Sequence, residues 1–330
     1  MNSLKKSMSV VLPNYNGKHL MQQYIPSIIE ALNFSNVEFE FIVIDDFSTD
    51  DSIEFIQNDY PEITLLKNTE NQGFSITCNK GINKATKELV FLLNSDVKLT
   101  QNYFEEQWKY FSSENTFGVM GCIMNFDGEK IEDSARFPRY KLSKFKANTF
   151  YYSLKKEDEI MTTYLSGANA LVNRKKLLRL KGFDDIFSPF YFEDFDLGLR
   201  AWKMGWKSYY EHSSICYHRV SASTSGTNKS NSVKIIYNRN SFILQSIHLN
   251  GIRRIGWFIQ LFTIVFTSHI LKGEFWIFKS LNEFIKKTSQ IEQSRDNIKN
   301  LQQVVGSNKS LNDIIRTIKL SIQNKNIQWL

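Results

Sequence analysis

Four short apolar runs divide the first 125 residues, and each is shut off abruptly by amides or acids. Ser9-Val10-Val11-Leu12 stops at Pro13 and Asn14, and the run Phe39 to Ile44 stops at Asp45 and Asp46. Ile63-Thr64-Leu65-Leu66 follows, and Leu89 to Leu93 gives way to Asn94, Ser95 and Asp96. Between them, helical spacing runs over Lys18 to Phe34, Asp51 to Asn58 and Gly73 to Lys87. Unalternating apolar runs suit strands buried on both faces, and a helix after each strand lets the next one return parallel to it. The expected fold is therefore α/β, a Rossmann-like, mostly parallel sheet with flanking helices. Ligands of such sheets bind beyond the carboxyl ends of the strands, so the polar residues that stop each run are the ones to follow.

Two phosphate-binding signatures are missing. No GxGxxG follows the first run and no GxxxxGK[ST] occurs anywhere, which removes most support for a dinucleotide-binding domain or a P-loop ATPase. The strand ends offer instead Asn14, Asn16, Asp45, Asp46, Asn71, Asn94, Ser95 and Asp96, a set suited to holding a nucleotide through base, ribose and metal. With 330 residues the chain exceeds a single core, which stops growing near ~250–300. The expected division is a catalytic unit over 1–220, with a nucleotide-binding half (1–125) and an acceptor-binding half (126–220), and a helical region over 221–330. Cys78, Cys122 and Cys216 are sparse and contain no CxxC, which argues against a disulfide framework or a zinc ribbon. The first apolar run is too short for a signal-peptide core, so a cytoplasmic location is expected.

The net charge of +7 favours acidic partners without choosing among them. Seven cations and no acid lie between Arg136 and Lys156, interleaved with Phe137, Tyr140, Phe145, Phe150, Tyr151 and Tyr152. This segment reads as a solvated loop, a substrate lid or a contact with anionic lipid; without a nucleic-acid-binding module, no nucleic acid partner is expected. Ser221 to Ser232 reads as a flexible loop, and Val233 to Asn326 as wholly helical. Ile255 to Leu271 carries no charge and has a narrow polar stripe at Gly256, Gln260, Thr263 and Thr267. Such a helix either lies in a membrane interface, peripheral on the inner face of the cell membrane, or packs on the protein's own core.

Ordered motifs then narrow the function. Val10 to Gly17, Val43 to Asp50, Asn71-Gln72-Gly73-Phe74 with Asn79-Lys80-Gly81-Ile82, and Phe91 to Asp96 occur in that order. Gly167-Ala168 with Arg174, Gly182-Phe183-Asp184-Asp185, Glu193 to Arg200 and Gly205-Trp206 complete the series. From about Met8 to His218 the chain resembles the family 2 glycosyltransferases. The resemblance implies a nucleotide-diphospho-sugar-binding fold of the A type and transfer of one sugar, with inversion, from a UDP- or dTDP-sugar to a hydroxyl of a glycan or lipid-linked glycan in cell-surface polysaccharide assembly. It also implies that Pro13, Asn14, Tyr15, Asn16, Asp45, Asp46, Asn71, Gly73, Asn79, Asn94, Ser95, Gly167 and Ala168 line the donor site.

Chemistry gives each acid a role beside a plainer one. Asp45 and Asp46 can accept from an imide N–H or ribose hydroxyls, although Ser48 or Asp50 near a helix start would serve as caps. Asp96 can hold Mg²⁺ or Mn²⁺ against the diphosphate, or simply turn the chain before a helix near Thr100. The family pattern is Asp-x-Asp; Asn94 replaces the first acid here and leaves one direct carboxylate. By resemblance Asp194 is the general base, Glu193 orients the acceptor or the base, and His218 completes the metal site. Asp196 stands four residues before Arg200, at ion-pair spacing. Ser221, Ser223 and Thr224 are candidates to close over the diphosphate. The competing readings are a catalytically silent glycan-binding or membrane scaffold, and a sugar-phosphate nucleotidyltransferase, whose Gly-rich, Arg-containing first loop is missing.

Overall fold

The computed structural model describes residues 5–219 and 231–330. Ser221, Ser223 and Thr224 lie outside the described residues. The first third follows the expected alternation: β1 (Met8–Asn14), α1 (Lys18–Ser35), β2 (Phe39–Asp45), α2 (Ser52–Asp59), β3 (Thr64–Lys67), α3 (Phe74–Lys84) and β4 (Leu89–Leu93). β3, β2, β1 and β4 lie side by side and parallel. Next come β5 (Val97–Leu99), β6 (Thr116–Asn125) and β7 (Ile131–Asp133). Later in the chain are β10 (Ile160–Met161), β11 (Asn169–Asn173), α4 (Arg174–Arg179), α5 (Glu193–Lys203) and β12 (Lys207–His218). The sheet runs β3-β2-β1-β4-β11-β6-β12-β10, with β5 and β7 paired at its far end. β11 is antiparallel to both its neighbours, whereas β6 and β12 are parallel to each other. The carboxyl ends of β1, β2, β4, β6 and β12 therefore point the same way, and Asn14, Asp45, Asn94 and His218 share one rim with the start of β11.

No helix forms near Thr100. The chain makes β5 and a series of turns, because Tyr103, Phe104 and Trp108 pack ring on ring with Phe91 in the core. The basic-aromatic segment is also not a loop. It forms a hairpin, β8 (Ala135–Lys141) and β9 (Lys144–Ser153), in a second, small sheet with β13 (Ile327–Trp329). The count of cations obscured a strand pattern of period two, in which Phe145, Ala147, Tyr151 and Ser153 point inward. Arg136, Lys144 and Lys146 are half-buried. Lys144 donates to Ser241 Oγ at 2.9 Å, and burial pushes its ammonium pKa down to about 8.

The C-terminal region is helical as expected up to its last residues: α6 (Asn231–His248), α7 (Gly251–Leu271, with a π-helical stretch at Leu261–Phe266), α8 (Trp276–Lys286), α9 (Thr288–Val305) and α10 (Leu311–Ser321). These helices have no core of their own. Phe242, Trp257, Ile291 and Ile314 belong to one apolar cluster with Ile82 of α3 and with Leu197 and Ala201 of α5. α1 covers the opposite face of the sheet, over Met21, Ile25, Ile28 and Leu32.

Candidate active site

The rim is built by carboxylates that hold loops. Asn14 donates to Asp45 Oδ1 at 3.0 Å, and Asp45 Oδ2 accepts from the Ser48 amide at 2.9 Å. Asp46 accepts from Asn68 Nδ2 and from the amides of Gln72 and Gly73, at 2.8–2.9 Å. Asn16 Oδ1 accepts from the Thr49 amide at 2.7 Å. Asp50 does act at the start of α2, accepting from the Ser52 amide, and it also takes the Lys18 amide of α1. Asn14, Asn16, Asp45 and Asp46 thus stitch the β1, β2 and β3 loops together. Tyr15 and Phe47 remain more than half exposed at the ends of adjacent strands, and Asn71 is exposed. Phe47 was missed because its positive φ of 67°, which turns the ring outward, has no sequence signature.

Gly73 is required by geometry. Its φ is +83°, and a Cβ there would stand 2.7 Å from Pro189 Cα, so the loop after β3 lies directly on the loop before α5. Asn79 has a structural use as well. Its amide donates to Phe183 O and Asp185 Oδ1 and accepts from the Phe183 amide, at 2.8–3.0 Å. The side chain braces the 183–185 loop, with one lone pair of its oxygen left over. A cavity of about 630 Å³ lies on the outer side of that loop, between Asp184, Asp185 and α9. It holds neither Asp96 nor Asp194, so the chemistry is placed by the side chains rather than by this cavity.

Asp194 sits in the first turn of α5, facing a void of about 10 Å³ lined by Leu92, Gly167, Phe183 and Gly198. The residues ahead of it, Tyr191 and Phe192, both take left-handed φ values of 76° and 75°. Two such residues in succession are costly and cluster at functional sites. Burial pushes the Asp194 carboxyl up; the Arg136 guanidinium and the amides of Phe195 and Gly167 hold it part of the way down. Glu193 is buried and pushed further up, first by burial and then by the charge of Asp194. Its Oε2 has no hydrogen-bond partner among the described residues. The neighbouring acids therefore favour one ionised and one protonated carboxyl.

Arg136 went unassigned in the sequence because it looked like one cation of seven. It lies 4.8 Å from the ring centre of Phe150 and 4.6 Å from that of Tyr164, and it is ion-paired with Asp133. Its charge lowers the Asp194 pKa, so removing it raises that pKa and the carboxyl becomes protonated at higher pH. Asp133 acts the other way but more weakly. The double substitution Arg136→Met with Asp133→Asn should therefore shift the acid limb of the kcat/KM profile to higher pH, as read by pH–rate measurements; an unmoved or lowered limb would remove Arg136 from this role.

Across the rim, Asp96 Oδ2 stands 3.3 Å from His218 Nε2, and Glu132 Oε2 stands 3.1 Å from His218 Nδ1. Burial disfavours the imidazolium, but the hydrogen bonds and charges of Asp96 and Glu132 outweigh it and raise the His218 pKa to about 9. Asp96 Oδ1 is buried with no hydrogen-bond partner among the described residues. No group of three His, Cys, Asp or Glu side chains with metal-holding geometry occurs among the described residues. As it stands His218 is a charged ion-pair partner of both acids, and its Nε2 would have to give up a proton before it could meet a cation beside Asp96 Oδ1. Asn94 and Ser95 are half-buried on the same turn, and the Asn94 amide donates to Ala168 O, tying that turn to Gly167-Ala168. A Cβ at Gly167 would come within 3.1 Å of Phe74.

Comparison with known proteins gives concordant results. Residues 9–180 match the profile of "Glycosyl transferase family 2", just over half of the chain. The chain is 24% identical over 182 residues to the "Putative teichuronic acid biosynthesis glycosyltransferase TuaG" of Bacillus subtilis (strain 168), covering 53% of this chain and 66% of that protein. It is 27% identical over 218 residues to the "GalNAc(5)-diNAcBac-PP-undecaprenol beta-1,3-glucosyltransferase" of Campylobacter jejuni, covering 64% of each. The chain thus spans slightly less than two thirds of either relative. Among solved structures, GalNAc-T7 with UDP, GalNAc and Mn²⁺ superposes with a TM-score of 0.62 at 15% identity, over 96% of this chain and 57% of that one, a likeness of fold.

Proposed function

This chain belongs to glycosyl transferase family 2, and on that premise we propose that it moves one sugar, with inversion, from a UDP- or dTDP-sugar to a hydroxyl of a cell-surface or lipid-linked glycan. The observation that carries the reading is Asp194: a half-buried carboxylate with a raised pKa, at a helix start on the rim where the strands end. A base of this kind takes the proton of the acceptor hydroxyl as its oxygen attacks the anomeric carbon. Glu193, protonated beside it, can donate to the acceptor and orient it. Tyr15, Phe47 and Asn71 are exposed where the nucleoside would lie, and Gly167 leaves room for the sugar beside Phe74.

Asp96 and His218 would hold a divalent cation, with Glu132 behind the imidazole as its orienting partner. When bound, the cation neutralises charge on the departing nucleoside diphosphate. The Mn²⁺ and UDP in the GalNAc-T7 structure support this assignment, and the names of the two relatives support a surface-glycan or lipid-linked acceptor.

Thermal unfolding against a panel of nucleotide sugars, with and without Mn²⁺, tests the reading. A cognate donor at a hundred times its Kd should add about 2.7 kcal/mol of stability. Asp96→Ala should abolish the Mn²⁺-dependent part of that gain. A wild-type protein that neither bound nor hydrolysed any nucleotide sugar with Mn²⁺ present would overturn it.

A further inference from the structure

The apolar side chains left in water are not scattered. Among the described residues, ten of the 21 large exposed hydrophobics fall between Ile252 and Ile285, on α7, α8 and the turn joining them. α7 is the one helix among the described residues long and apolar enough to cross a membrane, yet only 17% of its apolar window is buried. Its orientation explains this. Trp257, Leu261 and Phe266 enter the core, and Gln260 accepts from the Ser143 amide at 3.0 Å on the hairpin turn. The half of the helix with polar Gly256 and Gln260 therefore meets the protein, while Ile255, Ile259 and Phe262 face outward. The outer face of α8 continues the surface with Phe278, Lys279, Ile285 and Lys286, and Phe278 meets Phe266 at 5.7 Å.

The hairpin brings the charge. Leu142 projects from its turn at 66% exposure, and Arg253 of α7 stacks 3.7 Å from the Tyr140 ring. Lys146 is pushed down by burial and then by Lys141 and Arg139 beside it, three cations with no ion pair among the described residues. The acids of the neighbouring helices are already matched: Glu274 with His269, Glu283 with Arg239, Glu292 with Arg254.

We propose that the outward face of α7 and α8, together with the tip of the β8–β9 hairpin, forms one docking surface for an anionic lipid bilayer, on which the protein lies without spanning it. Two features that look independent in the sequence, the basic segment and the uncharged helix, become the charged rim and the apolar centre of a single patch. A second copy of the chain fits less well, because a two-fold interface would set unmatched cations against cations. A spanning α7 would have to leave Trp257, Leu261 and Gln260 behind. This inference goes beyond the sugar chemistry and does not depend on it.

Flotation of the full chain with phosphatidylglycerol–phosphatidylcholine vesicles, and with phosphatidylcholine alone, tests the surface. The anionic vesicles should retain the protein and the zwitterionic ones should retain less. Lys141→Ala and Lys146→Ala should each lower partitioning about fivefold, an effect erased at about 1 M salt. Ile255→Asp with Phe262→Asp should lower partitioning at least tenfold at any salt, with the cooperative unfolding transition retained because both side chains are more than half exposed and only the stacking of Phe262 on Phe266 is given up. Wild-type protein that ignores anionic vesicles, or an Ile255/Phe262 variant that floats equally well, overturns the proposal. So does a concentration-dependent dimer lost in that variant without any vesicle binding.

Discussion

Asp194→Asn should cut the rate of sugar transfer by about 10²–10⁴-fold while leaving the affinity for the nucleotide sugar unchanged, the usual worth of a positioned general base. The carboxamide has the carboxylate's shape and its oxygen can still accept from the Phe195 amide, but it cannot take a proton. The readouts are kcat for transfer and Kd for the donor, measured separately. Transfer at the wild-type rate would move the base elsewhere. The wild-type profile should lose activity as pH falls through a pKa above the ordinary carboxylate value of ~4, because the protonated base is the inactive form and burial raises its pKa. Glu193→Gln keeps a donor at that position and should cost far less at neutral pH.

Asp196→Ala should destabilise the fold by about 3–5 kcal/mol, the cost of leaving one partner of a buried ion pair alone. Asp196 is fully buried, 2.6 Å from Arg200 Nε and 2.8 Å from His248 Nε2. Arg200 also donates to Leu180 O and Gly182 O, so the pair fastens α5 to the turn ahead of the 183–185 loop. Denaturant unfolding reads the change, and a loss below about 1 kcal/mol would mean that the site relaxes or admits water. Acid should act in the same direction. Burial, then the charge of Lys203, pushes the His248 pKa down to about 4, against ~6.5 when unfolded, so protons favour the unfolded chain. Stability should fall as pH drops from about 6.5 towards 4, and Asp196, with its own pKa depressed by Arg200 and His248 against burial, loses its contribution at still lower pH.

The parallel half of the sheet was legible because its strands are apolar on both faces and stop at polar residues; β4 has the very bounds the pattern gave. The rim residues were legible as a set, for position at a strand end follows from the alternation alone. Their individual uses were not. Asn79 and Asn71 look equivalent in the sequence, yet one braces the 183–185 loop and the other is exposed. That difference depends on a partner more than a hundred residues away. The hairpin was hidden by its composition, since repeated Lys and Arg suggest solvent while the strand period of Phe145, Ala147 and Tyr151 suggests burial. Arg136 acquires meaning only once Asp133, Phe150 and Tyr164 surround it.

The shared apolar cluster has a practical side. A protein chemist reading the motifs would trim the gene near codon 220 to obtain a compact catalytic fragment. Such a fragment would bare the side of α5 that carries Leu197 and Ala201, deprive Asp196 of His248, and strip β13 from the edge of the hairpin that bears Arg136. The better route to a manageable sample keeps every helix and softens only the outside of α7, at positions such as Ile255 and Ile259 that are more than half exposed. In this molecule the tail is the mould in which the helix of Asp194 is cast.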